Sequence, residues 1–168
     1  PIRVCILKDD DTVEIEVTAK VEVIPVSLPK LTLYHTERFH CDCLADYYKV
    51  SPFSERHWEI LKNFIEVYVK RGGNTILTPV FTPPLDTEVG GERTTVQLVG
   101  ITESDEKYKF DFNNLERWIA LCNEAGIEYF EIAHFFTQWG AGFAPKIMVK
   151  KSGKYIRRFG WDTPAVGE

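Results

Sequence analysis

Residues 129–141 read YFEIAHFFTQWGA. The first part is an apolar run of the length expected for a buried strand, and four polar or aromatic residues follow it: His134, Thr137, Gln138 and Trp139. A large aromatic face beside imidazole, hydroxyl and amide groups, placed where a strand ends, suits a pocket for a polar ligand. Residues 39–42 and 81–92 have the same build, so the sequence predicts three strand ends that converge on one site.

Composition predicts an ordinary soluble globular protein. The 168 residues are 44% hydrophobic and 27% charged, so we expect one substantial core in one domain with a small appendage. The 20 basic residues are interleaved with 25 acidic residues and form no basic stripe, so nucleic acid is not an expected partner. No apolar run approaches the length of a membrane span, so no membrane partner is expected either.

The cysteines and the chain ends bear on the compartment. Four cysteines are too sparse for a disulfide framework in a chain of this length, which favours a reduced, cytoplasmic setting. The start, PIRVCILKDDD, lacks the pattern of a signal peptide, but a missing beginning would hide one, so secretion is not excluded. Both ends look cut, because the chain begins with proline and TPAVGE has no feature of a terminus.

The N-terminal residues differ in pattern from the rest. Residues 2–24 alternate or run apolar around a turn at residues 9–11, which predicts an antiparallel β piece. Prolines at positions 25 and 29 then exclude regular structure and indicate a linker. We therefore place a domain boundary after residue 28, so that residues 29–168 form a second domain.

The second domain alternates strands and helices. The predicted strands are residues 38–43, 74–81 and 127–133. The helices between them start at Ser54 and Asn113, which suit N-caps, and stop at glycines. Residues 94–112 and 146–159 alternate around turns and predict β-hairpins outside the core sheet.

Strand–helix–strand units force parallel pairing, so the predicted fold class is α/β. Three such units with polar residues at the strand ends resemble the first part of a (β/α)₈ TIM-type barrel, although an open doubly wound sheet would show the same rhythm. No glycine-rich phosphate fingerprint follows any strand, which disfavours a nucleotide site. A complete barrel takes about 250 residues, so residues 29–168 would hold an incomplete one.

Residues 39–43 read FHCDC. In a strand, period-two alternation would place His40 and Asp42 on one side and Cys41 and Cys43 on the other, so the four would not share a metal ion. No metal site is expected. The thiols suit small core positions, while His40 and Asp42 are either pocket residues or a structural hydrogen-bonded pair.

The loop after the second strand, residues 81–93, reads FTPPLDTEVGGER and is too rich in proline and glycine for regular structure. Loops of this length are usually functional or disordered. The candidate ligand-binding residues are Thr82, Asp86, Glu88, Glu92 and Arg93. For Glu92 and Arg93, a solvated ion pair is the alternative.

In residues 129–141 the strongest candidates are His134, Gln138 and Trp139. A tryptophan face stacks on the apolar face of a sugar or on a base, while the amide and the imidazole bind hydroxyl groups. Trp139 as a core residue is the alternative. The segment therefore predicts a sugar or a base as the ligand.

A catalytic group is harder to find. A glycosidase usually works with two carboxyl groups, but the adjacent Asp105 and Glu106 lie in a lysine-flanked turn that we interpret as solvated. Glu131 lies inside the third strand, and one acid there is weak support. No serine elbow, convincing cysteine–histidine pair or zinc-binding HExxH motif is present, so the residues themselves predict a polar pocket without a catalytic group.

Five segments carry a family resemblance: FHCDCLADYY (39–48), FSERHWEI (53–60), TPVFTPPLDTEVGGERTTVQLV (78–99), YFEIAHFFTQWGA (129–141) and FGW (159–161). Together they resemble the catalytic region of glycoside hydrolase family 123. The resemblance is close from residue 25 onward and loose over the N-terminal strands, and FTPPLDT and FTQWGA are its most specific motifs.

The resemblance implies a β-sandwich followed by a (β/α)₈-type barrel. Residues 1–28 would then be the end of the sandwich domain, and residues 29–168 the truncated first part of the catalytic barrel. It also implies a retaining exo-glycosidase that releases N-acetylgalactosamine from β-linked glycans without a cofactor. In this mechanism the sugar's 2-acetamido oxygen attacks the anomeric carbon, one acid protonates the leaving group and a neighbouring acid orients the acetamide.

The family's two acids are an adjacent Asp-Glu pair followed by proline at a strand end. Asp105 and Glu106 are followed by Lys107, so the catalytic role is not transferred to them, and the pair is expected beyond Glu168. Alone, the chain would then be an inactive fragment that supplies substrate-binding residues. These are predicted to be His40, Asp42, Thr82, Asp86, Glu92, His134, Gln138 and Trp139.

The expected partners are a glycan containing N-acetylgalactosamine and either the remainder of the chain's own barrel or another copy of the chain. The alternative is a non-catalytic carbohydrate-binding or degenerate barrel module. A downstream strand that ends in Asp-Glu would favour the enzyme.

Overall fold

The structure is a computed structural model that describes residues 1–27, 29, 32–85, 87, 88, 90–105, 107–137 and 140–166. The chain divides into two compact units, Pro1–Thr32 and Leu33–Glu168. In the first unit, β1 (Ile2–Leu7) pairs antiparallel with β2 (Val13–Ala19). This is the predicted antiparallel piece, whereas its assignment to a sandwich domain stays a prediction.

The second unit has two sheets and three helices in its described residues. Its elements are β3 (Thr36–Glu37), α1 (Cys41–Tyr48), α2 (Glu55–Lys70), β4 (Thr75–Thr78), β5 (Gly100–Ser104), β6 (Lys107–Asp111), α3 (Asn113–Ala125), β7 (Tyr129–Ile132), β8 (Ile147–Lys151) and β9 (Lys154–Phe159). Strands β3, β4 and β7 are parallel and adjacent in that order, with helices in both connections. The fold is therefore mixed α/β.

The two predicted hairpins join into the second sheet, in the order β6-β5-β8-β9. Strands β5 and β6 are antiparallel, as are β8 and β9, while β5 and β8 are parallel. The chain forms the first half of this sheet, β5 and β6, in the connection from β4 to α3. It adds the second half, β8 and β9, after β7.

The helix ends follow from capping. Helix α2 begins where the Ser54 hydroxyl accepts a hydrogen bond from the His57 backbone N–H at 3.3 Å, as predicted. The prediction for α3 was wrong by one residue: Asn113 is the first helical residue, and its N–H donates to Asp111 Oδ1 at 3.0 Å. Gly126 ends α3 with a φ of 104°, a conformation in which glycine has no steric penalty.

The core lies between the helices and the parallel sheet. Its buried members come from α1, α2, β4 and α3, from the segment before β5 and from the residue after Gly126: Cys41, Trp58, Leu61, Ile65, Ile76, Val96, Leu98, Trp118, Cys122 and Ile127. Cys41 is therefore a small core residue, as expected, but the same expectation for Cys43 was wrong, because Cys43 is exposed at the surface of α1. The second core thiol is Cys122. Burial raises the pKa of the Cys122 thiol to about 12, so it stays neutral at physiological pH.

The predicted strand at residues 38–43 was wrong. Strand β3 is only Thr36–Glu37, and residues 41–48 form α1, which ends at Lys49 with a φ of 53°. The alternating arrangement of His40, Asp42 and the two cysteines therefore does not exist. Five residues are too few to separate a period of two from one of 3.6, and contacts with α2 decide the outcome.

Candidate functional site

A small cavity lies where the loop that follows β4 meets the hairpin β8–β9. The loop contributes Thr82, Glu92 and Arg93, and Thr137 joins them from the segment after β7. The cavity volume is about 30 Å³. That is room for one or two water molecules, or for one substituent of a larger ligand.

A buried ion pair supports the cavity wall. Arg93 Nε donates to Asp42 Oδ2 at 2.6 Å, and the two side chains are 14% and 3% exposed. Burial alone would lower the pKa of Arg93, but the Asp42 carboxylate outweighs it and raises this pKa. The other Asp42 oxygen, Oδ1, is buried and has no hydrogen-bond partner in the part of the chain that the structure describes.

Two further bonds fix the Arg93 guanidinium. Nη1 donates to the Leu85 carbonyl at 2.9 Å and Nη2 to the Cys43 thiol at 3.2 Å. The Arg93 carbonyl accepts from Lys146 Nζ at 2.9 Å. Arg93 therefore joins α1, its own loop and the segment before β8, and it reaches the cavity with little freedom to move.

Helix α1 is itself held by a buried histidine. His57 Nδ1 accepts from the Phe53 backbone N–H at 2.9 Å, so the proton must be on Nε2, which donates to the Cys41 carbonyl at 3.0 Å. Burial lowers the pKa of His57, which keeps the ring neutral. This bond anchors the first residue of α1, and Asp42 is the next.

Glu92 sits between two cations. Its carboxylate lies 3.2 Å from Lys146 Nζ and 2.7 Å from Arg157 Nη1. Arg157 also donates to Asp162 Oδ2 at 2.7 Å. Glu92 is the only carboxylate among the described residues that line the cavity. Three cations line the described cavity, and each is paired with a carboxylate: Arg93 with Asp42, and Lys146 and Arg157 with Glu92. Because these charges are already paired, the cavity suits hydroxyl and amide groups.

Trp161 provides an aromatic wall for the cavity. Its ring lies against the loop backbone at Gly90, where an added Cβ would be 3.7 Å from the ring. Gly90 has a φ of 81°, which favours glycine at this contact. The tryptophan is 37% exposed, so part of its face is open to a ligand.

The structure brings some predicted residues together and separates others. Thr82 and Glu92 line the cavity, while Asp42 lies behind Arg93 and does not. His40 is the half-buried residue that precedes α1, and His134 is exposed after β7 and lies outside the cavity lining. Three predicted residues, Asp86, Gln138 and Trp139, lie outside the described residues, so their roles stay predictions.

The acids that the sequence analysis considered as catalytic groups do not line the cavity in the part of the chain that the structure describes. Asp105 is exposed in the turn between β5 and β6, with a φ of 50°, as a solvated turn residue would be. Its neighbour Glu106 is outside the described residues. Glu131 Oε2 accepts from the Thr36 hydroxyl at 2.8 Å across the parallel sheet. The described part of the chain shows no pair of carboxylates in the cavity.

Three charged or aromatic cavity residues were not predicted: Lys146, Arg157 and Trp161. All three belong to the β8–β9 region, which the sequence indicated only as a hairpin outside the core sheet. The FGW motif, residues 159–161, was the one available signal for Trp161. No cluster of three or more metal-ligating side chains occurs in the described residues, and none of their helices is long and apolar enough to span a membrane.

A parallel β/α layer with a mixed-charge, tryptophan-walled cavity after its strands defines an α/β domain with a site suited to a carbohydrate. The chain matches the family model described as "Glycoside hydrolase 123, catalytic domain" over residues 39–165. It therefore belongs to glycoside hydrolase family 123.

A solved structure with a similar fold is a family 123 glycoside hydrolase from Clostridium perfringens, described in work on glycolipid glycan hydrolysis. The TM-score is 0.55 at 16% sequence identity, and the match covers 73% of this chain. This chain spans only 22% of that protein. Comparison with curated proteins gave no match.

Proposed function

We propose that this chain supplies sugar-binding residues of a retaining, substrate-assisted exo-glycosidase, a β-N-acetylgalactosaminidase that acts on β-linked glycans. One observation carries the proposal. Residues from three separate segments meet around one cavity in a chain that belongs to family 123: Thr82 and Glu92 from the loop after β4, Thr137 from the segment after β7, and Trp161 from the segment after β9. The proposed ligand is therefore the sugar that such an enzyme releases.

The cavity chemistry supports a neutral sugar. Glu92 is held by Lys146 and Arg157, so its carboxylate is fixed in place to accept hydrogen bonds from hydroxyl or amide groups. Trp161 offers an apolar face for the sugar ring. Asp42 contributes by holding Arg93 in place rather than by touching the ligand, since its side chain is only 3% exposed.

The other predicted residues have a place in the same proposal. His40 and His134 stand next to α1 and β7, and Asp86, Gln138 and Trp139 flank cavity residues in the sequence. We assign all five to the surroundings of the sugar. Substitution of each tests that assignment one residue at a time.

We further propose that β3, β4 and β7 are the first three strands of a (β/α)₈ barrel. Support comes from their parallel, chain-ordered pairing with helices in both connections. The 22% coverage of the Clostridium perfringens protein supports a fragment. On this proposal the catalytic Asp-Glu pair lies beyond Glu168, and the rest of the barrel or another copy of the chain pairs with the open edge of β7.

A non-catalytic carbohydrate-binding module is the second candidate. The observation that favours it is that Glu92 is the single carboxylate lining the cavity in the described residues, whereas a glycosidase usually needs two. The two candidates agree on sugar binding. They differ on whether residues beyond Glu168 contribute catalytic acids to this cavity.

Release of the chromophore from an aryl N-acetyl-β-galactosaminide tests the proposal. The assay compares this chain with the longer product of its gene, and a variant of the longer product with Glu92→Gln serves as the binding-site control. We expect turnover by the longer product, none by this chain alone, and a raised KM in the variant.

Each other outcome is informative. No turnover by the longer product would support the non-catalytic module. Turnover by this chain alone would contradict the placement of the acids beyond Glu168 and would make Glu131 the first residue to test.

A further inference from the structure

One side of the sheet β6-β5-β8-β9 carries exposed lysines. Directly opposed residues of neighbouring strands lie on the same side of a sheet. The register therefore places one residue from each strand in a single row across this sheet: Lys109, Thr102, Lys150 and Tyr155. Lys107 lies two residues before Lys109 on β6 and so shares that side. We call the side with these three lysines the lysine face.

The positive charges of the lysine face have no partners in the described part of the chain. All three lysines are exposed, and none forms an ion pair or a side-chain hydrogen bond with a described residue. Two carboxylates of the hairpin β5–β6 are engaged elsewhere. Asp105 Oδ2 accepts from the Ser104 hydroxyl at 3.3 Å, and Asp111 Oδ1 accepts from the Asn113 N–H at 3.0 Å.

The opposite side of the same sheet has a counter-charge of its own. Ile101 and Val149 are buried there in a small apolar cluster. Glu103 follows on β5 with a side chain that is 7% exposed, and it lies 2.6 Å from Lys151 Nζ and 3.9 Å from Arg158 Nε. Cations on that side therefore have a carboxylate to pair with, and those on the lysine face do not.

Protection of the sheet edges does not account for the lysine face. Edge strands often carry lysines that prevent pairing with other chains, which accounts for Lys107 and Lys109 on β6. Lys150, however, lies on β8, an inner strand that is paired on both sides. It stands two strand spacings from Lys109, or about 10 Å. Ammonium groups at that separation repel one another at moderate salt, and a bound anion relieves the repulsion.

The other residues of the lysine face suit a polymer of sugars. Thr102 is exposed between the two lysines of the row, so the surface is open there and offers a hydroxyl. Tyr155 ends the row with a side chain that is 70% exposed, and its ring can stack on a sugar. Ammonium and hydroxyl groups donate to sulfate or carboxylate oxygens. No aliphatic side chain is exposed among the described residues of this face, so a lipid bilayer gains no apolar anchor.

We propose that the lysine face binds an acidic polysaccharide, whose sulfate or carboxylate groups repeat along the polymer. None of the three lysines lines the cavity, so this surface holds the polymer and not the sugar that is released. The unpaired charges call for a polyanion. The choice of a polysaccharide among polyanions rests on the proposed function.

Surface plasmon resonance on immobilised chondroitin sulfate, a sulfated polymer that contains N-acetylgalactosamine, tests the proposal. We expect the chain to bind with an affinity that falls as the salt concentration rises. Lys109→Gln/Lys150→Gln should weaken binding about tenfold, because each lysine that contacts the polymer releases a condensed counterion. The slope of log affinity against log salt concentration should become shallower by about two.

Lys154→Gln is the matched control. It removes the same charge from the same hairpin as Lys150→Gln, but Lys154 pairs with Lys151 and lies on the opposite side of the sheet. We expect an affinity loss of about threefold for Lys150→Gln and none for Lys154→Gln. Glu92→Gln, in the cavity, should bind the polymer as the wild type does.

The remaining outcomes separate this proposal from the proposed function. Equal losses for Lys150→Gln and Lys154→Gln, or a double variant that binds like the wild type, would overturn the lysine face as the binding surface. Binding to duplex DNA or to phosphatidylserine vesicles without binding to chondroitin sulfate would overturn the polysaccharide as its partner. Polymer binding without any binding of N-acetylgalactosamine would support the lysine face and contradict the proposed function.

Discussion

Two arginine–carboxylate pairs in the second unit have similar geometry and very different surroundings. Arg93 and Asp42 meet at 2.6 Å behind the cavity, with side chains that are 14% and 3% exposed. Arg117 and Glu55 join α3 to α2 through two bonds of 2.7 Å, with side chains that are 44% and 80% exposed. Distance alone does not distinguish the pairs.

The difference lies in what happens when one partner is lost. Water replaces the lost partner of an exposed charge, whereas a buried charge that loses its partner keeps its full desolvation cost. The helix layer can therefore change its surface pairs freely. The cavity wall cannot, because Arg93 is part of it and would be left charged, largely buried and without its partner.

The largest expected effect comes from Asp42→Asn. The substitution keeps the side-chain volume but leaves the buried guanidinium without its counter-charge, which should lower the free energy of unfolding by about 3 kcal/mol. Urea denaturation measures it. Asp46→Asn is the matched control on the same helix, where an exposed carboxylate accepts from Thr94 and the loss should be about 1 kcal/mol or less. Equal losses of unfolding free energy in the two variants would contradict the claim that burial distinguishes the two pairs.

The next effect concerns pH and His57, which anchors α1 behind the cavity. Burial lowers its pKa in the folded protein, so the unfolded chain, in which the pKa is about 6.5, binds a proton that the folded chain does not. The stabilisation is present above that pH and is lost as the pH falls below it. We expect the free energy of unfolding to decrease from pH 7 to pH 5.

His57→Gln should reduce this pH dependence, because the variant has no imidazole to protonate. His134→Gln is the matched control, because it removes an exposed histidine that does not anchor α1. Urea unfolding at a series of pH values measures both. A slope in the His57 variant equal to that of the wild type would show that another group is responsible.

The smallest effect is expected for Glu55→Gln, which removes the exposed pair on the helix layer. The melting temperature should change little at low salt and not at all at 1 M salt, where screening acts within about 3 Å. The deficit of Asp42→Asn should persist at both salt concentrations. A salt-sensitive deficit in Asp42→Asn would mean that its pair is solvated in solution.

The order of strands and helices was predicted well where capping residues and glycines mark the ends of helices. Ser54 and Gly126 mark helix ends that the structure has, because capping is local chemistry that a single sequence displays. The strand prediction at residues 38–43 was wrong because His40 to Cys43 have no clear hydrophobic period. Packing against α2 favours the helix there.

The candidate site was only partly predictable for a different reason. Thr82 and Glu92 lie in a loop that could be predicted from its proline and glycine content. Arg93 finds Asp42 across 51 residues, and Trp161 reaches the loop from a hairpin that seemed peripheral. Such contacts depend on tertiary packing, so they cannot be predicted from composition or periodicity.

The central claim is that the cavity walled by Thr82, Glu92, Thr137 and Trp161 binds the sugar. Titration of the isotopically labelled chain with N-acetylgalactosamine, followed by amide chemical shifts, tests it most directly, with Trp161→Ala as the paired variant. The account predicts shifts clustered at those four residues and weakened binding in the variant. Shifts elsewhere, or unchanged binding in Trp161→Ala, would contradict it.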